Sequence, residues 1–273
     1  MTSPRLLIAA ALSALIAPPS AAHEFWIEPE AYRLAPGDEL RAALRTGQFF
    51  EGPSAPYIPS NVVRFDLAPG AGAPRPVEAR IGDRPALQTA IAEPGLATIL
   101  HVTRDYALDW SSWEDFTAFL RHKDAAWVIE ADAAAGRVPR EGVREVYSRY
   151  AKSLVAVGPG RGEDRPRGLL TEIVALENPY TGDLSDGLDV RVLYEGAPRA
   201  GAQVEIFARN GAGDVAVSTV AANADGIATV PVAPATEYLL DAVLVRPLGA
   251  DLARKTGAEW ESLWASLTFR TPG

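Results

Sequence analysis

Apolar and polar residues alternate in short runs along most of this chain, and Gly or Pro residues separate the runs. In residues 39–45, for example, Leu40, Ala42 and Leu44 fall on one side of an extended segment. Runs of this length and period, bounded by turn residues, predict β-strands with one buried face. Further runs in the first half of the chain are 25–27, 61–67, 75–79 and 97–103.

Residues 111–152 show a helical period instead. Ser111 and Ser112 each stand three residues before an acid, as in a capping box, and aromatic residues follow at helical spacing. A second helix is predicted from about Pro139 to Leu154, because Pro favours the first helical turn and apolar residues then recur every three or four positions. We therefore expect the helices to be confined to about 111–152.

A loop rich in Gly, Pro and charge, residues 158–168, precedes a second β region. About seven short apolar runs follow in roughly 100 residues, a pattern typical of an immunoglobulin-like sandwich. The sequence therefore predicts a mainly β protein with two β-sandwich-like domains, and no sheet should cross the boundary near Gly168. The N-terminal domain, 23–168, carries the short helical insertion, and 169–273 forms the C-terminal sandwich.

The first 22 residues have the pattern of a secretory signal peptide. Arg5 precedes the apolar stretch 6–17, and small residues occupy 20–22. Cleavage after Ala22 would make His23 the first residue of a periplasmic or secreted protein. No later segment is apolar enough for a transmembrane helix.

Composition narrows the ligand classes. Without residues 1–22 the chain has 25 basic and 35 acidic residues, a formal charge of −10, which disfavours nucleic acid and favours cations. There is no Cys, and the one Met is Met1, so the processed chain holds no sulfur ligand for Cu(I). Imidazole, amine and carboxylate groups suit Ni(II), Co(II), Cu(II) or Zn(II).

Two histidines are the candidate metal ligands. His23, as an N-terminal residue, offers its α-amine and its imidazole to one ion, although an N-terminal His can also be incidental. His101 lies in the predicted strand 97–103, where an ordinary half-buried His is the alternative. If the two converge, three nitrogens are available, and a carboxylate or water could complete the coordination. His122, at a predicted helix end, is explained by the helix dipole.

Catalytic motifs are lacking in the sequence. It contains no Gly-x-Ser-x-Gly elbow, no Cys nucleophile, no His-Glu-x-x-His and no phosphate-binding Gly-rich loop. We therefore expect a protein that is not an enzyme.

Several segments together resemble a known family. They are His23–Trp26 followed by Pro29, 149–155, 172–180, 196–205 and 261–269. Over nearly the whole processed chain the sequence resembles the DUF4198 family of exported bacterial proteins, often labelled NikM-like or as a periplasmic component of nickel or cobalt transport. The resemblance implies a mostly β periplasmic protein with a transthyretin-like C-terminal domain, which serves a membrane transport system for Ni(II) or Co(II). It carries over one residue, His23, which heads the motif His-x-x-Trp.

Three functions remain open from the sequence. The leading hypothesis is an exported accessory or carrier protein that binds Ni(II) or Co(II) through His23 and His101. The second is a Cu(II) protein in which two histidines brace the ion. The third is a non-catalytic envelope adhesion or assembly module in which His23 has no special role.

Overall fold

The computed structural model describes residues 23–273, so the predicted signal peptide, 1–22, lies outside the described residues. The chain is mainly β and sandwich-like, as the alternating pattern predicts. The helices are α1 (Trp113–His122), α2 (Trp127–Ala134) and α3 (Ala250–Thr256), and a 3₁₀ turn covers Pro59–Asn61. The strands, in chain order, are β1 (Glu24–Pro29), β2 (Arg33–Leu34), β3 (Glu39–Gly47), β4 (Ser54–Ala55), β5 (Val62–Ala68), β6 (Arg75–Pro76), β7 (Leu87–Ala90), β8 (Gly95–Thr103), β9 (Tyr106–Trp110), β10 (Val143–Val157), β11 (Thr171–Ala175), β12 (Leu188–Tyr194), β13 (Ala197–Pro198), β14 (Gln203–Arg209), β15 (Val215–Ala221), β16 (Ile227–Val230), β17 (Glu237–Pro247) and β18 (Trp260–Arg270).

A ten-stranded sheet organises the fold. Its main path runs β15-β14-β17-β18-β10-β8-β5-β6, and β2 and β9 also pair with β10. Two four-stranded sheets pack on it: β1, β3, β4 and β7 form one, and β11, β12, β13 and β16 form the other. In β10, Val155 and Val157 pack with the first small sheet, whereas Leu154 and Ala156 pack with the second. Because neighbouring residues of a strand point to opposite faces, the small sheets cover opposite faces of the large one.

The large sheet joins strands from both sides of Gly168. β10 runs parallel to β18, in register from Glu145 opposite Trp260 to Ser153 opposite Thr268. The expectation that no sheet crosses this boundary is therefore wrong. Period-two patterning marks strands and their faces, but it carries no information about which distant strand a segment pairs with. The division into 23–168 and 169–273 stays a prediction.

The first predicted helix is confirmed as α1, and Ser112 is its N-cap, with its Oγ accepting a hydrogen bond from the Asp115 N–H at 3.0 Å. The second prediction is wrong, since 143–157 is the long strand β10 and the second helix, α2, comes earlier in the chain. Apolar residues at helical spacing suggested a helix there, but pairing with β18, β8 and β9 decides the conformation. α3 also lies outside the range 111–152, and its C-cap is Gly257, whose φ of 71° suits a helix C-terminus.

β1 is held on the large sheet through both of its faces. Phe25 and Ile27 join the core that includes β3, β5 and β8, whereas Trp26 packs with Phe207 and Leu239 of β14 and β17. The Thr268 hydroxyl also donates to the Ile27 carbonyl at 2.7 Å. These contacts fix the start of β1, next to His23, within the protein.

Candidate functional site

His23 lies immediately before β1. Its ring Nδ1 is buried and has no hydrogen-bond partner among residues 23–273. Its backbone carbonyl accepts a hydrogen bond from Arg149 Nη2 at 3.1 Å, which ties the residue to β10. The backbone of the predicted N-terminal residue is therefore anchored while one ring nitrogen is left unused.

His101 lies on β8, as the alternating pattern predicts for 97–103, and faces the core. Its ring centroid is 5.1 Å from that of Phe25 and 5.3 Å from that of Phe65, and its exposed fraction is 2%. Neither ring nitrogen has a hydrogen-bond partner in the described part of the chain. Burial lowers the pKa of the ring to about 3, so the imidazole is neutral at ordinary pH. A buried His with two unpaired nitrogens departs from the rule that buried polar groups are hydrogen-bonded.

Phe25 is the residue that relates the two histidines. Alternation along an extended chain puts His23 on the same face as Phe25, and the Phe25 ring contacts that of His101. Among residues 23–273, one ring nitrogen of His23 and both of His101 are buried without a hydrogen-bond partner. That both imidazoles bind one ion stays a prediction.

The opposite face of β1 carries a buried ionic cluster that the sequence analysis missed. It consists of Glu24, Glu205 on β14, Asp241 on β17 and Lys123, the residue after α1. One oxygen from each of the three carboxylates lies within 4.8 Å of the others. Lys123 Nζ is 2.5 Å from Glu205 Oε2, 3.0 Å from Asp241 Oδ2 and 3.5 Å from Glu24 Oε1. The ammonium group therefore occupies the position that a metal ion would need among these oxygens.

Burial and ion pairing shift the pKa values of this cluster in opposite directions. Burial raises the pKa of Glu24 to about 7, with Lys123 opposing it, and also raises the pKa of Asp241. The Glu205 pKa is lowered, because hydrogen bonds from His122 and the charge of Lys123 outweigh burial. For Lys123 burial acts the other way and lowers the pKa, but the three carboxylates outweigh burial and raise that pKa above its usual range. The cluster thus holds Glu24, and with it the start of β1, through a charged lysine.

His122 is the last residue of α1, where the sequence places it at a helix end. Its Nε2 lies 2.8 Å from Glu205 Oε1, and its side chain is 58% exposed. That hydrogen bond raises its pKa, because the imidazolium form is the better partner for a carboxylate. His122 therefore contacts the ionic cluster through Glu205.

No helix among residues 23–273 has both the length and the hydropathy needed to cross a membrane. The sequence matches no curated protein significantly.

Three solved structures are similar to the chain at low identity. A tetra-tandem repeat from the extending region of a large adhesion protein is 13% identical, with 91% of this chain and 49% of that chain covered and a TM-score of 0.22. Escherichia coli alpha-2-macroglobulin activated by porcine elastase is 10% identical, with 92% and 20% covered and a TM-score of 0.25. Three N-terminal domains of the bacteriophage RB49 Hoc capsid protein are 9% identical, with 92% and 71% covered and a TM-score of 0.21. The chain thus spans half or less of the first two, and likenesses this weak do not bear on its function.

The family model of DUF4198, described as a domain of unknown function, matches residues 20–246. The match covers most of the chain and includes His23, His101 and the cluster around Lys123. The chain therefore belongs to the DUF4198 family.

Proposed function

We propose that this protein is an exported accessory protein that binds a divalent transition metal. The ligands are the α-amine and imidazole of His23, freed by cleavage after Ala22, and the imidazole of His101. Carboxylate or water oxygen completes the coordination. The metal is Ni(II) or Co(II), and the protein serves their uptake through a membrane transport system.

The observation that carries this proposal is the set of three unpaired ring nitrogens. Leaving a buried polar group without a hydrogen bond costs about 1–3 kcal/mol, and His101 alone has two such atoms. An apolar residue between Phe25 and Phe65 would avoid that cost. A neutral imidazole is the form that ligates a metal, and the environment of His101 keeps it neutral.

The donor set supports a metal of borderline hardness. Nitrogen ligands suit Ni(II), Co(II) and Cu(II), and the described residues hold no sulfur that would favour Cu(I). The likeness to exported proteins labelled as nickel or cobalt transport components favours the first two. The acidic balance of the chain also favours cations.

Calorimetric titration with Ni(II) tests the proposal on protein that begins at His23, verified by intact mass. We expect His23→Ala and His101→Leu each to weaken Ni(II) binding by at least about tenfold. The loss should be larger in His23→Ala, because that variant cannot form the chelate ring. His122→Ala is the matched control and should bind like the wild type, since His122 pairs with Glu205 instead.

A second preparation separates the α-amine from the imidazole. Protein that retains Ala22 keeps the His23 ring but has no free amine on that residue, and it should bind Ni(II) more weakly. The proposed function would be overturned if this form and His23→Ala both bound Ni(II) as tightly as the wild type.

A further inference from the structure

Arg149 is a half-buried cation that forms no ion pair within the described part of the chain. Among residues 23–273, no carboxylate oxygen lies within 4.0 Å of its guanidinium group. Nη2 donates to the His23 carbonyl at 3.1 Å, and Nε is buried without any partner. Asp241 and Glu24 act on Arg149 only at longer range, without a hydrogen bond.

Aromatic faces hold the guanidinium group in place. Its central carbon lies 4.8 Å from the Tyr147 ring centroid and 5.7 Å from that of Phe25. Cation–π contacts orient a planar guanidinium but leave its N–H donors free for an anion in the ring-free directions. The group is therefore fixed and incompletely bonded.

Two buried lysines of this chain are paired with carboxylates. Lys123 contacts three carboxylates, and Lys152 lies 2.7 Å from Asp164 and 3.0 Å from Glu172. Buried charges in proteins are generally paired in this way. Among residues 23–273 Arg149 has no carboxylate partner, and it differs from Arg199, which also has none, because it holds the backbone of the proposed metal ligand His23. An anion from outside the chain would supply the missing partner.

We infer that Arg149 forms a carboxylate-binding subsite next to His23, and that the metal arrives as a complex with a carboxylate-bearing chelator. This inference rests on the proposed function. A bare divalent ion bound by His23 would be repelled by the guanidinium group that holds the carbonyl of the same residue. A carboxylate of the chelator between the two cations reverses this repulsion. Its two oxygens match the two terminal nitrogens of the guanidinium group: Nη1, which makes no hydrogen bond among residues 23–273, and Nη2, while the buried Nε takes no part.

The test compares Ni(II) added as its citrate complex with Ni(II) added as its ethylenediamine complex, in calorimetric titrations of protein beginning at His23. Citrate brings carboxylates and a net negative complex, whereas ethylenediamine brings neutral nitrogens. Because the two chelators hold Ni(II) with different strengths, each complex is compared between proteins, and we expect the wild type to bind the citrate complex at least about tenfold more tightly than Arg149→Met does. Arg149→Met should bind the ethylenediamine complex at least as tightly as the wild type, and Arg149→Lys should keep part of the affinity for the citrate complex, because the charge remains without the two terminal nitrogens.

Arg104→Met is the matched control, since Arg104 also lies over a tyrosine ring, that of Tyr106 at 4.5 Å, but its Nε donates to Asn61 Oδ1. It should bind the citrate complex like the wild type, and thermal melting of every variant checks that the fold is intact. A folded Arg149→Met that binds the citrate complex as tightly as the wild type, or that loses affinity for both complexes to the same extent, would overturn the inference. Loss of all Ni(II) binding in the wild type would refute the proposed function instead, so the two failures are distinguishable.

Discussion

Replacement of His101 by Leu should leave the protein at least as stable at pH 7.5 and less sensitive to acid. Leu has nearly the volume of His and fits the apolar space between Phe25 and Phe65. It also removes two buried nitrogens that have no hydrogen-bond partner within residues 23–273. Replacing unpaired polar atoms by apolar ones of similar shape is neutral or stabilising.

The magnitude follows from the pKa of the ring. Burial lowers it from 6.5 to about 3, so the neutral ring contributes its full stability above pH 6.5. As the pH falls below 6.5, the unfolded chain binds a proton at His101 that the folded protein does not. Each pH unit then costs ~1.4 kcal/mol of stability, and between pH 7.5 and pH 5 the loss is about 2 kcal/mol.

Urea denaturation at pH 7.5 and pH 5, on protein freed of metal by EDTA, measures this contribution. The relevant quantity is the difference in free energy of unfolding between wild type and His101→Leu, because contributions of other titrating groups cancel in it. We expect the free energy of unfolding of His101→Leu to rise by about 2 kcal/mol relative to that of the wild type when the pH is lowered from 7.5 to 5. A difference that stays constant with pH would refute the assignment of His101 as a buried, unpaired imidazole.

Three further variants test the surrounding electrostatics and the helix cap. Burial raises the pKa of Glu145 to about 8, so its contribution is full below pH 4.5 and is lost as the pH rises towards 8. Glu145→Gln should therefore stabilise the protein by up to about 3 kcal/mol at pH 7 and by little at pH 4, as urea denaturation at both pH values will show. Lys123→Met leaves three buried carboxylates without their cation and should cost about 3–5 kcal/mol at pH 7.5; a cost below 1 kcal/mol, on the scale of an exposed pair, would contradict the cluster. Ser112→Ala removes the N-cap of α1 and should cost about 1 kcal/mol in the same assay, whereas no change would mean that the Asp115 N–H finds another acceptor.

Local patterns in the sequence predict the elements whose conformation is decided locally. Alternation of Leu40, Ala42 and Leu44 marks β3, and the spacing of Ser112 and Asp115 marks the start of α1. The segment of β10 follows a helical period equally well, and its parallel partner β18 is more than 100 residues away. Long-range pairing of this kind leaves no local signal, which is why the helix prediction and the absence of a shared sheet both proved wrong.

The candidate site, too, is only partly predictable from the sequence. Residue type and strand pattern single out His101, but its isolation from hydrogen bonds depends on Phe25 and Phe65, which approach from other strands. Lys123 has the local setting of an exposed residue at a helix end. Its carboxylate partners Glu205 and Asp241 lie 82 and 118 residues away, and only the packed structure brings them together.

The central claim is that His23 and His101 bind one metal ion. Anomalous diffraction at the nickel edge, from crystals of protein that begins at His23 and is loaded with Ni(II), tests this most directly. The account predicts a single strong peak about 2 Å from ring nitrogens of both histidines and from the α-amine of His23. A peak on the carboxylates around Lys123, or none near His23 and His101, would contradict it.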